Sequence, residues 1–343
     1  MSSRPRPDLA AAALLLIAPL PLAAQPVPDS LAIREWEVPW ERSRPRDPSV
    51  APDGRVWFVG QEGNYVAIFD PRTEAFERIE IDEGTHPHTV VVDAKGDAWY
   101  AGNRNALIGR IDGRTHQVTR FPMPDAASRD PHTITFGPDG SVWFTMQQSD
   151  RVGRLDPATG QVRVVAMPVA RSRPYGIVMG AGGRPWFVLF GTNLVGTIDP
   201  KTMELRTHPM PDPGARARRL ALTSDGGVWY GDYARGFLAR LDPNTGAVEE
   251  WPLPSGARSL PYAMTVDDRD RLWLVETGPQ PNRFVGFDSK TRRWVGNAAV
   301  PSGAGAVRHM EFDRRTGRIW FGTDANTLGY AQVRPGSEGK PTS

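Results

Sequence analysis

The 343-residue chain contains no cysteine. That absence removes disulfide frameworks, cysteine nucleophiles, thiolate zinc sites and a lipoprotein anchor. Net charge is scarce too: 41 Lys and Arg against 39 Asp and Glu leave +2, with arginine supplying most of the basic side chains. No block of like charge stands out, so neither nucleic acid nor an anionic membrane surface is implied as a partner. Past the first two dozen residues nothing approaches the roughly 18 apolar residues of a spanning helix, and no membrane insertion is expected. The G-x-S-x-G elbow, the P-loop and H-E-x-x-H are all missing, and the glycines fall at turns.

The chain ends read differently from the middle. Arg4 and Arg6 precede an apolar run over residues 9–22, too short to cross a bilayer, and Ala23-Ala24-Gln25 follows as a cleavage site. These features predict a secretory signal peptide over 1–24, a single domain over 25–333 and a polar tail over 334–343. The mature protein is expected to be secreted, periplasmic in a Gram-negative source, and monomeric.

What the chain does have is a repeat. A unit of the form P-H/Y-x-I-x-x-G-x-D-G-x-x-W-F, followed by x-x-G-R-I-D-P-x-T-G-x-V, recurs with its tryptophan at Trp57, Trp99, Trp143, Trp186, Trp229, Trp273 and Trp320. The spacings are 42, 44, 43, 43, 44 and 47 residues. A period in the forties with one tryptophan and several short strands is the mark of a propeller blade, because one unit cannot bury its own apolar face. The sequence therefore predicts an all-β, seven-bladed β-propeller with four antiparallel strands per blade. Residues 33–39 resemble a fourth strand with no partners before them, and the seventh unit lacks a fourth strand. The ring is expected to close by placing the N-terminal strand in the last blade. The tryptophans are expected between blades, and Asp70, Asp112, Asp156, Asp199, Asp242 and Asp288, each three residues before a threonine, in turns.

Strand order also predicts which loops share a face. The segment entering a first strand and the loop leaving the second lie at one end of the channel. Counting back eleven residues from each tryptophan gives Arg46, His88, His132, Tyr175, Arg218, Tyr262 and His309, all polar or aromatic with a hydrogen-bonding tip. These side chains either cap strand starts or line a functional mouth, where histidine would be the general base. Counting forward gives Asp232, Glu276 and Asp324 in the last three blades. Three such carboxylates suit a hard cation such as Mg²⁺, or they pair with Arg46, Arg218 and Arg308 at the same rim.

The unit Pro131-His132-Thr133-Ile134-Thr135-Phe136-Gly137-Pro138-Asp139-Gly140-Ser141-Val142-Trp143-Phe144-Thr145, followed by Val152-Gly153-Arg154-Leu155, resembles the repeat of the virginiamycin B lyase (streptogramin lyase) family. The resemblance covers residues 33–333. It implies a seven-bladed propeller and a Mg²⁺-dependent elimination that opens a cyclic depsipeptide, a base removing the proton α to a carbonyl as the ester oxygen leaves. The machinery it implies is a histidine in the sixth slot, Glu-x-His at the seventh, a glutamate four residues after the seventh tryptophan and a tyrosine in the first slot. His309 and Asp324 would match two of these positions. Val307, Tyr262 and Arg46 stand at the others. Two readings result: a metal-assisted lyase with His309, His132 or His88 as base, Tyr262 and Tyr175 beside them and Asp324, Glu276 and Asp232 as ligands; or a propeller that binds a small molecule or a protein without chemistry.

Overall fold

The computed structural model describes residues 31–333; the predicted signal peptide and polar tail lie outside them. Within that span are seven four-stranded antiparallel sheets, each strand hydrogen-bonded to the next in sequence, and two single-turn 3₁₀ segments. Blades 1 to 6 span residues 45–80, 87–122, 131–166, 174–209, 217–252 and 261–299. Blade 7 takes residues 307–332 for three strands, and its fourth is Ala32–Glu37, which runs antiparallel to Thr327–Gln332 from Glu37 opposite Thr327 to Ala32 opposite Gln332. The ring closes as the sequence predicts, and its closing strand is anchored by Trp36, packed 4.7 Å from Phe69 and 6.0 Å from Trp320.

The repeat motif maps onto packing. All seven motif tryptophans are buried between sheets. Trp99 and Trp273 donate their indole N–H to Asp93 and Asp267, aspartates of the inner turns, at 3.1 and 3.0 Å. In blades 2, 3 and 4 the glycine of x-x-G-R-I-D makes room for the aromatic residue that follows the tryptophan: a Cβ at Gly153 would lie 2.3 Å from the Phe144 ring. The outer-turn aspartates have their expected task, each accepting the N–H two residues on, as Ala158 to Asp156 at 2.9 Å and Asn244 to Asp242 at 2.8 Å. His116 and His208 cover Trp57 and Trp186 at 6.2 and 5.4 Å, instead of standing free in solvent.

Two departures from regularity shape the channel. In every blade the inner pair of strands carries a register shift near the mouth; in blade 3, Pro131 faces Met146 while Ile134 faces Phe144. Two residues, His132 and Thr133, therefore oppose Thr145 alone, a bulge that brings two successive side chains toward the axis. The second departure is confined to blade 7. Its inner turn, Asp313-Arg314-Arg315-Thr316-Gly317, closes with Gly317 N–H on the Asp313 carbonyl, four residues back, whereas in blade 3 Gly140 N–H bonds Gly137, three back. Blade 7 thus has one more residue between its inner strand and its tryptophan.

Candidate binding mouth and channel

That extra residue moves the seventh slot. In blades 3, 5 and 6 the residue before the slot, Pro131, Ala217 or Pro261, pairs with the position three after the tryptophan, Met146, Asp232 or Glu276. In blade 7 the residue with that pairing is Val307, opposite Thr323. The seventh slot therefore belongs to Arg308, and His309 falls one step deeper, level with Thr133 and Arg219. Counting eleven back from Trp320 is therefore off by one residue in this blade.

The slot ring is contiguous. The His88 and His132 rings lie 3.5 Å apart between centroids, and His132 is 4.2 Å from Tyr175. The Tyr175 and Tyr262 hydroxyls are hydrogen-bonded to each other, and Arg308 Nη1 reaches the Tyr262 hydroxyl at 3.4 Å. The Arg218 guanidinium sits 4.2 Å from the Tyr262 centroid, 4.2 Å from Tyr233, 4.4 Å from Phe190 and 5.5 Å from Tyr175, a cation against four aromatic rings. The predicted site residues His88, His132, Tyr175 and Tyr262 are brought together; His309 is not among them.

Beneath the ring a second layer closes the axis. Asp47, fully buried, accepts Arg46 Nε at 2.9 Å, Thr89 Oγ1 at 2.7 Å and Arg219 Nη2 at 3.4 Å. Arg219 also donates to Thr133 Oγ1 at 3.1 Å and to the Arg308 carbonyl at 3.2 Å, so one side chain from blade 5 touches blades 1, 3 and 7. Burial alone would raise the Asp47 carboxyl pKa, but Arg46 and Arg219 hold it well below the usual carboxylate range. Arg219 and Asp47 were not singled out from the sequence, because the bulge that turns them inward leaves no trace in the repeat pattern.

Electrostatics set the protonation of the ring. Burial, with the charges of Arg46 and Arg219 nearby, pushes His88 and His132 well below the ordinary imidazole range, so both are neutral. Burial and Arg219 push His309 down to about 3. Burial works to raise the Tyr262 phenol, yet Arg46, Arg218, Arg308 and the Tyr175 hydrogen bond overcome it and acidify the group, while Tyr175 moves the other way.

The three candidate metal ligands do not form a set. Asp232 accepts the backbone N–H groups of Arg216, Ala234 and Arg235 and pairs with Arg235 Nη1 at 3.2 Å. Glu276 accepts Ser255 N–H at 2.9 Å and the Ser255 hydroxyl. Asp324 is clasped by Arg308 through both oxygens, with Arg44 at 3.8 Å. Among the described residues no group of three or more His, Asp or Glu is placed to hold a metal ion. Two of the three carboxylates thus hold loops and the third is neutralised by the arginine in the seventh slot, so the residues present do not fit the Mg²⁺ site the resemblance implies. His309 and Asp324 are likewise separated in role: Asp324 sits with Arg308 at the mouth, and His309 lines a cavity at the other end of the channel.

With the geometry in place, the comparisons decide the family. The sequence matches the virginiamycin B lyase family model over residues 31–329. The chain belongs to that family. A streptogramin B lyase structure superposes with a TM-score of 0.80 at 23% identity, covering 89% of this chain and 98% of the other. A catalytically inactive virginiamycin B lyase from Staphylococcus aureus with quinupristin gives a TM-score of 0.80 at 21% identity, over 89% and 100%. Kuenenia stuttgartiensis hydrazine synthase follows at 0.70 and 15%, over 85% and 96%. At these identities the likeness is one of fold. A search of curated protein sequences finds no match. Among the described residues no helix is long and apolar enough to cross a membrane.

Proposed function

We propose that this virginiamycin B lyase-like propeller is an exported, monomeric binding protein that captures a small carboxylate-bearing aromatic molecule at its channel mouth. The observation that carries the reading is a pair of unmet donors: Arg46 Nη2 and Arg218 Nε are buried and have no hydrogen-bond partner among the described residues. Leaving a buried donor unmade costs about 1–3 kcal/mol, which an arriving acceptor recovers. Guanidinium forks match carboxylate geometry. The rings of Phe190 and Tyr233, which flank Arg218 from the mouth loops, suit an aromatic body. Titration calorimetry with phenylacetate tests this. Saturable binding, weakened roughly tenfold or more in Arg218→Ala, is the expected result, a factor that corresponds to about 1.4 kcal/mol. No saturable heat at millimolar ligand, or equal affinity in the variant, would overturn it.

A second reading rests on the acidified Tyr262. A phenolate there could take the proton α to a carbonyl, the electron pair forming a C=C bond as the ester carboxylate leaves, with Arg46 and Arg308 offsetting the developing charge. Incubation with a streptogramin B, with Mg²⁺ and separately with chelator, distinguishes the two. Ring opening that disappears in Tyr262→Phe makes the protein a lyase with tyrosine as base; an intact ring at high protein concentration leaves the binding reading standing.

A further inference from the structure

The Arg219–Asp47 layer divides the channel, and the far side is a compartment of its own. It holds a cavity of about 310 Å³, near the lower end of the volumes that take small molecules. Its wall is mixed: Val178, Leu222 and Val266 give apolar surface, and Thr135, Thr265, Arg219, His309 and Glu311 give polar groups. Arg219 reaches this cavity as well, with three of its five N–H donors engaged by Asp47, Thr133 and the Arg308 carbonyl. Beside these groups the compartment also presents acceptors.

Glu311 and His309 supply those acceptors. They stand two residues apart on the strand Val307–Asp313, so they share a face with Cα atoms about 7 Å apart, a gap two converging side chains can bridge. One Glu311 oxygen accepts Val50 N–H at 3.0 Å, and no Lys or Arg forms an ion pair with Glu311 among the described residues. Burial pushes its carboxyl up to about 7 against the bonds from Val50 and Ser49, as expected for an acid lacking a counter-charge. His309 Nδ1 is buried without a partner among the described residues, and the ring is neutral, hence able to accept a hydrogen bond.

We propose that this far compartment is a second binding site, which takes a small primary amine: the ammonium group held by Glu311 and His309, the short hydrocarbon body against the valine–leucine wall. An ammonium ion supplies the counter-charge that Glu311 lacks and a donor for the imidazole. The site is independent of the mouth and of what binds there, since the ion-paired layer lies between them.

Cyclohexylamine is the probe, with cyclohexanol and cyclohexanecarboxylate as isosteric comparisons, titrated into the mature protein at neutral pH. Saturable binding of the amine is expected, at least tenfold tighter than of either comparison. Glu311→Gln should weaken it at least tenfold, and Thr265→Phe, which fills the cavity, should abolish it. Phenylacetate binding at the mouth should be unchanged in both variants, which separates failure here from failure there. The proposal is overturned if the amine does not saturate, if the carboxylate binds as well as the amine, or if Glu311→Gln leaves affinity unchanged. Should that variant not fold, the probe series and Thr265→Phe decide.

Discussion

Acidifying the medium from pH 6.5 to pH 5 should cost the fold roughly 3 kcal/mol or more per pH unit, read as a falling midpoint in urea denaturation. His88, His132 and His309 are all depressed below the ordinary imidazole value. In the unfolded chain each takes up a proton below about pH 6.5 that the native channel refuses, so each contributes stability above that pH which is lost as pH falls, by about 1.4 kcal/mol per unit. Glu311 has the opposite sign. Its folded pKa of about 7 lies above the unfolded value, so its contribution is complete below about pH 4.5 and disappears as pH rises through 7. Three protons against one leave two, and His86 and His208, also pushed down by burial, add to the fall in the same direction. Glu311→Gln removes the opposing group and should steepen the fall to roughly 4 kcal/mol per unit. A flat profile in the native chain would mean that these imidazoles do protonate in the folded state, and parallel profiles in the two proteins would mean that the Glu311 carboxyl is not raised by folding.

The architecture was legible because its signals are local and repeated. A tryptophan every forty-odd residues and a glycine or alanine at the centre of each third strand recur seven times, and an aspartate that closes its own outer turn recurs six times. The site was less legible, and blade 7 shows why. Its inner turn, Asp313-Arg314-Arg315-Thr316-Gly317, is of the D-x-x-T-G kind found in the outer turns, where Gly160 N–H likewise bonds Asp156 four residues back. That motif and the long 47-residue spacing were in the sequence, and either signals the extra residue that puts Arg308 into the slot. The fate of the carboxylates was not there to be read. Glu276 meets Ser255 from the preceding blade's last loop, and Asp232 meets the loop that enters its own blade. Such pairings depend on how loops settle after the blades have stacked.

Asp47→Asn should destabilise the protein by roughly 3–5 kcal/mol, the range for removing one member of a buried ion-paired group. Arg46 and Arg219 are each only 3% exposed, and both direct a guanidinium at this carboxylate. Without its charge the two cations remain in the channel with no anion between them. The substitution isolates charge from shape. Asp47 has a φ of +49°, a region that asparagine occupies as readily as aspartate, so backbone strain does not change. Asparagine can still accept from Thr89, so that bond does not account for the loss either. Adding Arg219→Met to Asp47→Asn removes one of the two stranded cations and should restore part of the stability, a coupling visible in a double-mutant cycle. A loss under about 1 kcal/mol for Asp47→Asn would show instead that water enters the channel and solvates the arginines. The layer would then not separate two compartments, and the mouth and the far cavity would have to be treated as one site.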